Sequence, residues 1–343
     1  MKRESWVSAL FEVQQRGYLH ITTSLWRCAT NLEQIPAMPL NWNAYDEYFT
    51  GRERAPISEH TKRDLEVEAA ALLELSPEQR ETSWGICTLP GCYGMVIQLR
   101  PDLRHRWNPD MDRAVGLKIF HADSFGKQAK KLVPFHKDER RSYPGLPNPQ
   151  VQEVYDGGRF VRVLPGEQES RWYLIQEWVE GDTWDEVIQL PAFGPDDAAT
   201  ILRSLFEGII FPLWSVGVIW WDIRANNYCV RSTPSGLEVV MIDTDSLQAY
   251  SDEIRNRPNV HTLRDQKKAT GVKRLKTMIT GLVDAVTKNL KLGRESKLAK
   301  SSTEDRVRDF LDVLGQPGAL KRQAAQDALN RMIDCFKTQT WIR

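Results

Sequence analysis

Apolar positions along the chain change their spacing twice. Up to about residue 80 they recur at helical intervals, as in Trp6, Leu10, Phe11 and Val13, and again in Leu65, Val67, Ala70, Leu72 and Leu73. Residues 35–57, with several Pro, Asn and Gly, interrupt this pattern and read as a loop. Ser76-Pro77-Glu78-Gln79 is a helix-start signal, with Ser as cap and Pro at the first helical position. After residue 84 the apolar period shortens. Ile86–Leu99 reads as two strands around a Gly-containing turn, and Arg113–Phe120 as a strand. Val151–Tyr155, Arg159–Leu164 and Trp172–Trp178 are further strands separated by turn signals. Between them Lys127–Arg141 is a basic helix, ended by Pro144-Gly145. From Gly194 the helical period returns. Pro195-Asp196-Asp197 opens a long apolar helix through Trp214. Tyr228–Arg231 and Val239–Ile242 are short strands flanking a Ser-Gly turn, and 262–343 is helical.

This pattern predicts an α+β chain. A helical N-terminal extension covers 1–83, a mostly antiparallel sheet with one inserted helix covers 84–180, and a mainly helical region covers 181–343. No internal repeat or low-complexity tract is visible.

Composition narrows the function classes. With 343 residues and 41% hydrophobic content, a sizeable core is expected. Lys plus Arg and Asp plus Glu number 46 each, so no global charge favours nucleic acid or an anionic membrane. The five cysteines (Cys28, Cys87, Cys92, Cys229, Cys335) are odd in number and form no CxxC pair. That argues against a disulfide framework or zinc site and for a reducing compartment. MKRESWVSALFEVQQRGYLH lacks a long apolar core, and no apolar run approaches the length of a membrane span. The expectation is a cytoplasmic protein with no membrane partner.

Four stretches bear on chemistry. Leu89-Pro90-Gly91-Cys92-Tyr93-Gly94-Met95-Val96 places two glycines in a strand–turn–strand, where backbone amides can approach a phosphate closely; an ordinary hairpin turn has the same look. Val115-Gly116-Leu117-Lys118 sets one Lys in an apolar strand. Either it lies on an edge and reaches water, or it is a phosphate-binding cation held by an acid of the following helix, Asp138 or Glu139. Tyr173 to Trp184, YLIQEWVEGDTW, is an apolar strand entering a polar connection: a plain turn, or a hinge whose backbone hydrogen-bonds an adenine ring. In Trp220-Trp221-Asp222-Ile223-Arg224-Ala225-Asn226-Asn227, Asp222 and Asn227 bracket a polar loop, and Met241-Ile242-Asp243-Thr244-Asp245 is a strand ending in carboxylates. Phosphoryl transfer from a nucleotide needs one Asp for the attacking hydroxyl, an Asp and an Asn for magnesium, and a Lys for the phosphates.

In order and spacing these stretches resemble the protein kinase family and its small-molecule kinase relatives, over roughly residues 84 to 280. The resemblance implies a two-lobed kinase-like fold, with a sheet lobe and a helical lobe, that uses ATP and Mg2+. VGLK stands where the family has V-A-I-K, which implies Lys118 as phosphate ligand, paired with Glu139. Gly91, Gly94 and Val96 would belong to the loop over the phosphates. Glu177 to Val179 would be the hinge, with Gln176 at the gate to the space behind adenine. WWDIRANN stands for H-R-D-L-K-x-x-N, which implies Asp222 as base, Arg224 as a phosphate-facing cation and Asn227 as a magnesium ligand. DTD stands for D-F-G, which implies Asp243 as the main magnesium ligand, with Asp245 either a further ligand or polar surface.

The chain departs from the family pattern in several places. Leu89 replaces the first glycine, and Trp220-Trp221 replaces His-Arg, removing the usual anchor for a phosphorylated activation loop. No A-P-E follows. The divergent motifs also resemble kinases of bacterial and phage conflict systems. The acceptor implied is a protein Ser or Thr, the chain itself included; the alternatives are a small-molecule kinase and a nucleotide-binding pseudokinase. For residues 1–83 three roles stand open: bracing the small lobe, binding a regulatory partner, or occluding the site.

Other features are read plainly. The Lys- and Arg-rich stretch from Arg264 to Lys300 reads as a solvated helix face rather than a nucleic-acid patch. His121 and His136 have no partners at metal-ligand spacing, and Ser215 and Cys92 lack a nucleophile's context.

Overall fold

The sheet forms where the apolar period shortens, and its registry follows from which faces are apolar. A computed structural model describes residues 40–43, 46, 59–76, 78–79, 84–87, 94–104, 113–120, 129–164, 167–220, 222–244, 259–289 and 294–337. They divide into two units. The first holds the residues up to Arg141 together with Glu153–Trp178, and the second holds Ser142–Gln152 together with Val179 onward. The chain is α+β, with a six-stranded mixed sheet and a helical C-terminal region. Among the described residues no helix is long and apolar enough to cross a membrane.

In the first unit the strands are β1 (Leu40–Asn41), β2 (Gly85–Cys87), β3 (Gly94–Leu99), β4 (Ala114–Phe120), β5 (Val154–Leu164) and β6 (Glu167–Trp178). They lie in the order β1-β2-β3-β4-β6-β5, with β1–β2 parallel and every other pair antiparallel. β1 lies inside the stretch read as a loop; a two-residue strand is too short for a period to show.

The Glu59–Leu72 helix covers one face of the sheet. Leu65, Ala69, Ala70 and Leu73 pack there with Ile97, Leu99, Val115, Leu117 and Ile119. Arg171 and Glu68 pair at 3.3 Å, and the Leu40 amide donates to Glu66 Oε1 at 2.6 Å. At Ser76 the cap is reciprocal: Ser76 Oγ accepts from the Gln79 amide, and Gln79 Oε1 accepts from the Ser76 amide. On another part of the sheet Ala129, Leu132 and Val133 of the inserted helical segment 129–141 pack on Phe120, Val154 and Leu174.

The sequence reading broke β5 into two strands at Asp156-Gly157-Gly158. The structure runs one strand through, with a register shift between Val154 and Asp156. The glycines serve packing rather than a turn. A Cβ on Gly157 would stand 2.7 Å from Leu174 Cδ2 and 3.0 Å from Val133 Cγ1, and one on Gly158 would meet the Tyr173 ring. Val151 is not part of this strand; it bridges to Met241 in the second unit.

The second unit is built around the helical stretch Pro195–Ser215. Its buried face includes Ile201, Leu202, Leu205, Phe206, Ile209, Ile210 and Leu213. Gly194 begins it, its amide donating to Asp197 Oδ2 at 3.0 Å. The long helices Val260–Asn289, Arg294–Gly315 and Arg322–Lys337 complete the core, and Phe206 meets Phe310 edge-on at 4.7 Å. A small sheet of β7 (Asp182–Thr183), β8 (Tyr228–Thr233) and β9 (Gly236–Met241) lies in the order β7-β8-β9.

Pro212 sits inside the Pro195–Ser215 stretch, where it cannot donate to the carbonyl four residues back. That carbonyl is Gly208 O. The helix widens to a π turn over Phe206–Ile210, and Asn148 Nδ2 supplies the missing donor at 2.8 Å. Gln150 continues the lacing, its Nε2 donating to Ser204 Oγ at 2.5 Å and to Val239 O at 2.9 Å. Asn148→Ala strands the Gly208 carbonyl and is expected to cost about 1–3 kcal/mol in a denaturant melt. Pro212→Ala returns a backbone donor to the helix, so Asn148→Ala combined with Pro212→Ala should lose less than Asn148→Ala alone. An equal or greater loss in the double variant would refute this account.

Candidate functional site

The polar loop predicted over Asp222–Asn227 starts from buried anchors. Val218, Ile219, Trp220 and Ile223 are buried on one side, and Tyr228, Cys229 and Val230 on the other. Trp220 lies edge-on to Tyr228 at 5.4 Å. Between the anchors the chain makes one 3-10 turn, Ala225–Asn227, closed by the Asn227 amide donating to Arg224 O at 2.9 Å. This places Asn227, 5% exposed, beneath Asp222. Its Nδ2 donates to the Asp222 carbonyl at 2.8 Å and lies 3.4 Å from Asp222 Oδ2. Its Oδ1 makes no hydrogen bond among the described residues.

Asp243 enters from the neighbouring strand. The β9 end is held on both sides. Met241 donates to Gln150 O and accepts from the Gln152 amide, while the Ile242 amide donates to Asn227 O at 2.9 Å. Asp243 follows directly, half-buried. Asp222, Arg224, Asn227 and Asp243 are thus joined in one unit through a single backbone lacing. Asp245 and Trp221 lie outside the described residues.

The Asp222 carboxylate carries two guanidinium contacts on the same oxygen. Arg224 Nε is 2.9 Å from Oδ1, and Arg274 Nη1 is 2.5 Å from Oδ1. Sequence reasoning missed Arg274, which was grouped with the solvated basic face. The Val260–Asn289 helix delivers it. Gly271, one turn earlier on the same face, lets that helix approach: a Cβ there would stand 3.2 Å from Trp214 Cζ2 and 3.5 Å from Ile223 Cδ1. A glycine in the middle of a helix, three residues before an Arg, was the available signal. Lys268 corrects the same reading, since it is 2% exposed and donates to the carbonyls of Gln316 and Gly318.

Tyr228, fully buried next to this carboxylate, has its phenol pushed well above its ordinary pKa, by burial first and by the Asp222 charge second. Cys229 is pushed up to about 12, mainly by burial and then by Asp182 and Glu186, and its Sγ lies 3.8 Å from Val179 O. Neither group is poised as a nucleophile.

In the first unit Lys118 sits on β4, opposite Val96 of β3 and Leu174 of β6. β4 is an interior strand, so the edge-strand reading of this Lys does not hold. Its Nζ lies 5.2 Å from the centre of the Phe120 ring. His136 feels its charge: the imidazole pKa is held well below the usual range by burial, then by Arg140, then by Lys118. A neutral His136 accepts from Arg140, with Nη1 to Nδ1 at 3.1 Å. Glu139 follows on the π turn Phe135–Glu139 and is exposed. Gly94 opens β3, while Gly91 and the other residues of the stretch 88–93 lie outside the described residues.

Glu177 is 1% exposed, and its carboxylate is committed to structure. Arg113 Nη1 is 3.4 Å away, and the Glu153 amide donates to Oε2 at 3.2 Å. Its backbone amide donates to Glu153 O at 2.8 Å. Val179 begins the second unit, packed with Cys229, Val240 and Ile242.

Asn227 Oδ1 and the Asp243 carboxylate could each offer an oxygen ligand to a cation. Among the described residues no cluster of three or more His, Cys, Asp or Glu could hold a metal. A pair of oxygen ligands fits Mg2+, which keeps waters and takes phosphate oxygens, better than a metal that needs a full protein cage. No family model matches the chain. Asn227→Asp would replace the donor to the Asp222 carbonyl with a second carboxylate beside it. A loss of about 1–3 kcal/mol, larger than for Asn227→Ala, is expected in chemical denaturation. Equal losses would mean that the amide does not carry the loop.

Proposed function

We propose that this chain is an ATP- and magnesium-dependent phosphotransferase of protein-kinase-like, two-lobed build, acting on a protein Ser or Thr hydroxyl, its own chain included. The observation that carries the reading is the closed Asp222–Asn227 loop, bound through Asn227 O to the strand end that leads into Asp243. It links by backbone the acid, amide and second acid to which this reading assigns the chemistry. The half-buried position of Lys118 on an interior strand is compatible with the phosphate-holding role this reading gives it. The order of the motifs is common to protein and small-molecule kinases, and the acceptor class is the part of the proposal that the lysate and metabolite arms below decide.

In this reading Asp222 Oδ2 accepts the proton of the acceptor hydroxyl. The acceptor oxygen then bonds to the γ-phosphorus of ATP, and the bond to the β-γ bridging oxygen breaks to release ADP. Lys118 holds phosphate oxygens, with Glu139 the acid assigned to steady it. Arg224 faces the phosphate side. Asn227 and Asp243 would hold magnesium, which supplies charge neutralisation at the phosphates. Glu177 contributes through its backbone at most, because its carboxylate is already bonded.

The test is transfer from γ-labelled ATP with magnesium, with and without a cell lysate. Asp222→Ala and Asp243→Ala are each expected to lower transfer by about 100- to 10,000-fold while remaining folded by circular dichroism. Turnover near wild type in Asp243→Ala would remove Asp243 from the metal. Consumption of ATP only when small metabolites are supplied would reassign the acceptor. Nucleotide-dependent heat protection without any consumption would make the chain a binding module.

A further inference from the structure

We infer that Arg274, rather than the loop's own Arg224, is the positioning residue that orients the Asp222 carboxylate and leaves Oδ2 as its proton-accepting oxygen. This rests on the phosphotransferase reading above and extends it to a residue outside every motif that suggested that reading.

The inference follows from the asymmetry at Asp222. Both guanidinium contacts fall on Oδ1, and among the described residues Oδ2 has only the 3.4 Å approach of Asn227 Nδ2. A carboxylate bonded through one oxygen is fixed in rotation and presents the other oxygen in a set direction. The two arginines differ in what holds them. The Arg224 side chain is 58% exposed and belongs to the loop it would have to orient. An ion pair of that kind contributes little, because both partners must be ordered and solvent screens them.

Arg274 is 33% exposed and stands on a 30-residue helix. That helix is docked by Leu275, Met278 and Ile279, which are buried, and by the close approach at Gly271 to Trp214 and Ile223. Ile223 is the residue next to Asp222, so one helix face fixes both the loop backbone and the carboxylate. Positioning of a reacting group by a rigid element is where a small displacement costs most in rate.

The test uses the full-length chain, γ-labelled ATP with magnesium, and dephosphorylated casein or the chain itself as acceptor. Arg274→Met keeps the apolar stem that lies on the helix surface and removes the guanidinium. It is expected to lower kcat by about 100-fold with KM for ATP within about twofold of wild type. Arg274→Lys should recover part of that loss, and methylguanidinium added to Arg274→Met should raise kcat by about tenfold. A role in stability alone would show none of this recovery.

Wild-type kcat in Arg274→Met, or a loss expressed in KM for ATP, would overturn the inference while leaving the phosphotransferase reading intact. Absence of transfer by the wild-type chain to either acceptor would overturn that reading, and this inference with it.

Discussion

A single buried amide holds the polar loop together. Asn227 uses its backbone N–H on Arg224 O, its backbone carbonyl on the Ile242 amide and its side-chain Nδ2 on the Asp222 carbonyl. The start of the loop, its middle and the neighbouring strand are thereby fixed by one residue. Burial gives these bonds their weight: a polar group withdrawn from water must find its partners within the protein. Asn227 meets that demand only if the chain turns tightly between Arg224 and Tyr228, and the 3-10 turn there is the local result.

The same demand explains the long helix. A partly buried Asp222 needs cationic compensation, and the loop's own Arg224 is too exposed to give much of it. Arg274 supplies the rest from a helix that packs closely at Gly271, where a Cβ would stand 3.2 Å from Trp214. Gly271 carries the helix-interior cost usual for glycine. The offset is close packing against Trp214 and Ile223, and the basic stretch beginning at Arg264 is thus a mixture. Lys268 and Arg274 face structure, while Lys273 and Lys276 face solvent.

Much of the architecture was legible because its signals are local. Alternating apolar runs marked β3, β4 and β6, Gly194-Pro195-Asp196-Asp197 marked a helix start, and the turn before Gly236 marked the β8–β9 hairpin. The spacing of Asp222 and Asn227 was legible for the same reason, since one turn joins them. What was missed is non-local or ambiguous. Arg274 lies 52 positions from Asp222, and nothing in a run of Lys and Arg distinguishes the member that turns inward. Gly157-Gly158 signals both a turn and a tightly packed strand, and only the Val133, Leu174 and Tyr173 side chains decide between them. The interior position of Lys118 could not be read either, because strand order is set by pairing between segments far apart in sequence.

Glu177 shows how a residue picked out by motif position can be bound by a different constraint. The chain re-enters the first unit at Glu153 and leaves it after Trp178. These two ends are tied to each other. The Glu177 amide donates to Glu153 O, and the Glu153 amide donates back to the Glu177 carboxylate, which Arg113 also contacts. A carboxylate that is 1% exposed and has these partners is costly to redirect, because turning it toward a ligand would leave Arg113 and the Glu153 amide without it. The acid therefore belongs to the frame that holds the ends of β5 and β6 in register.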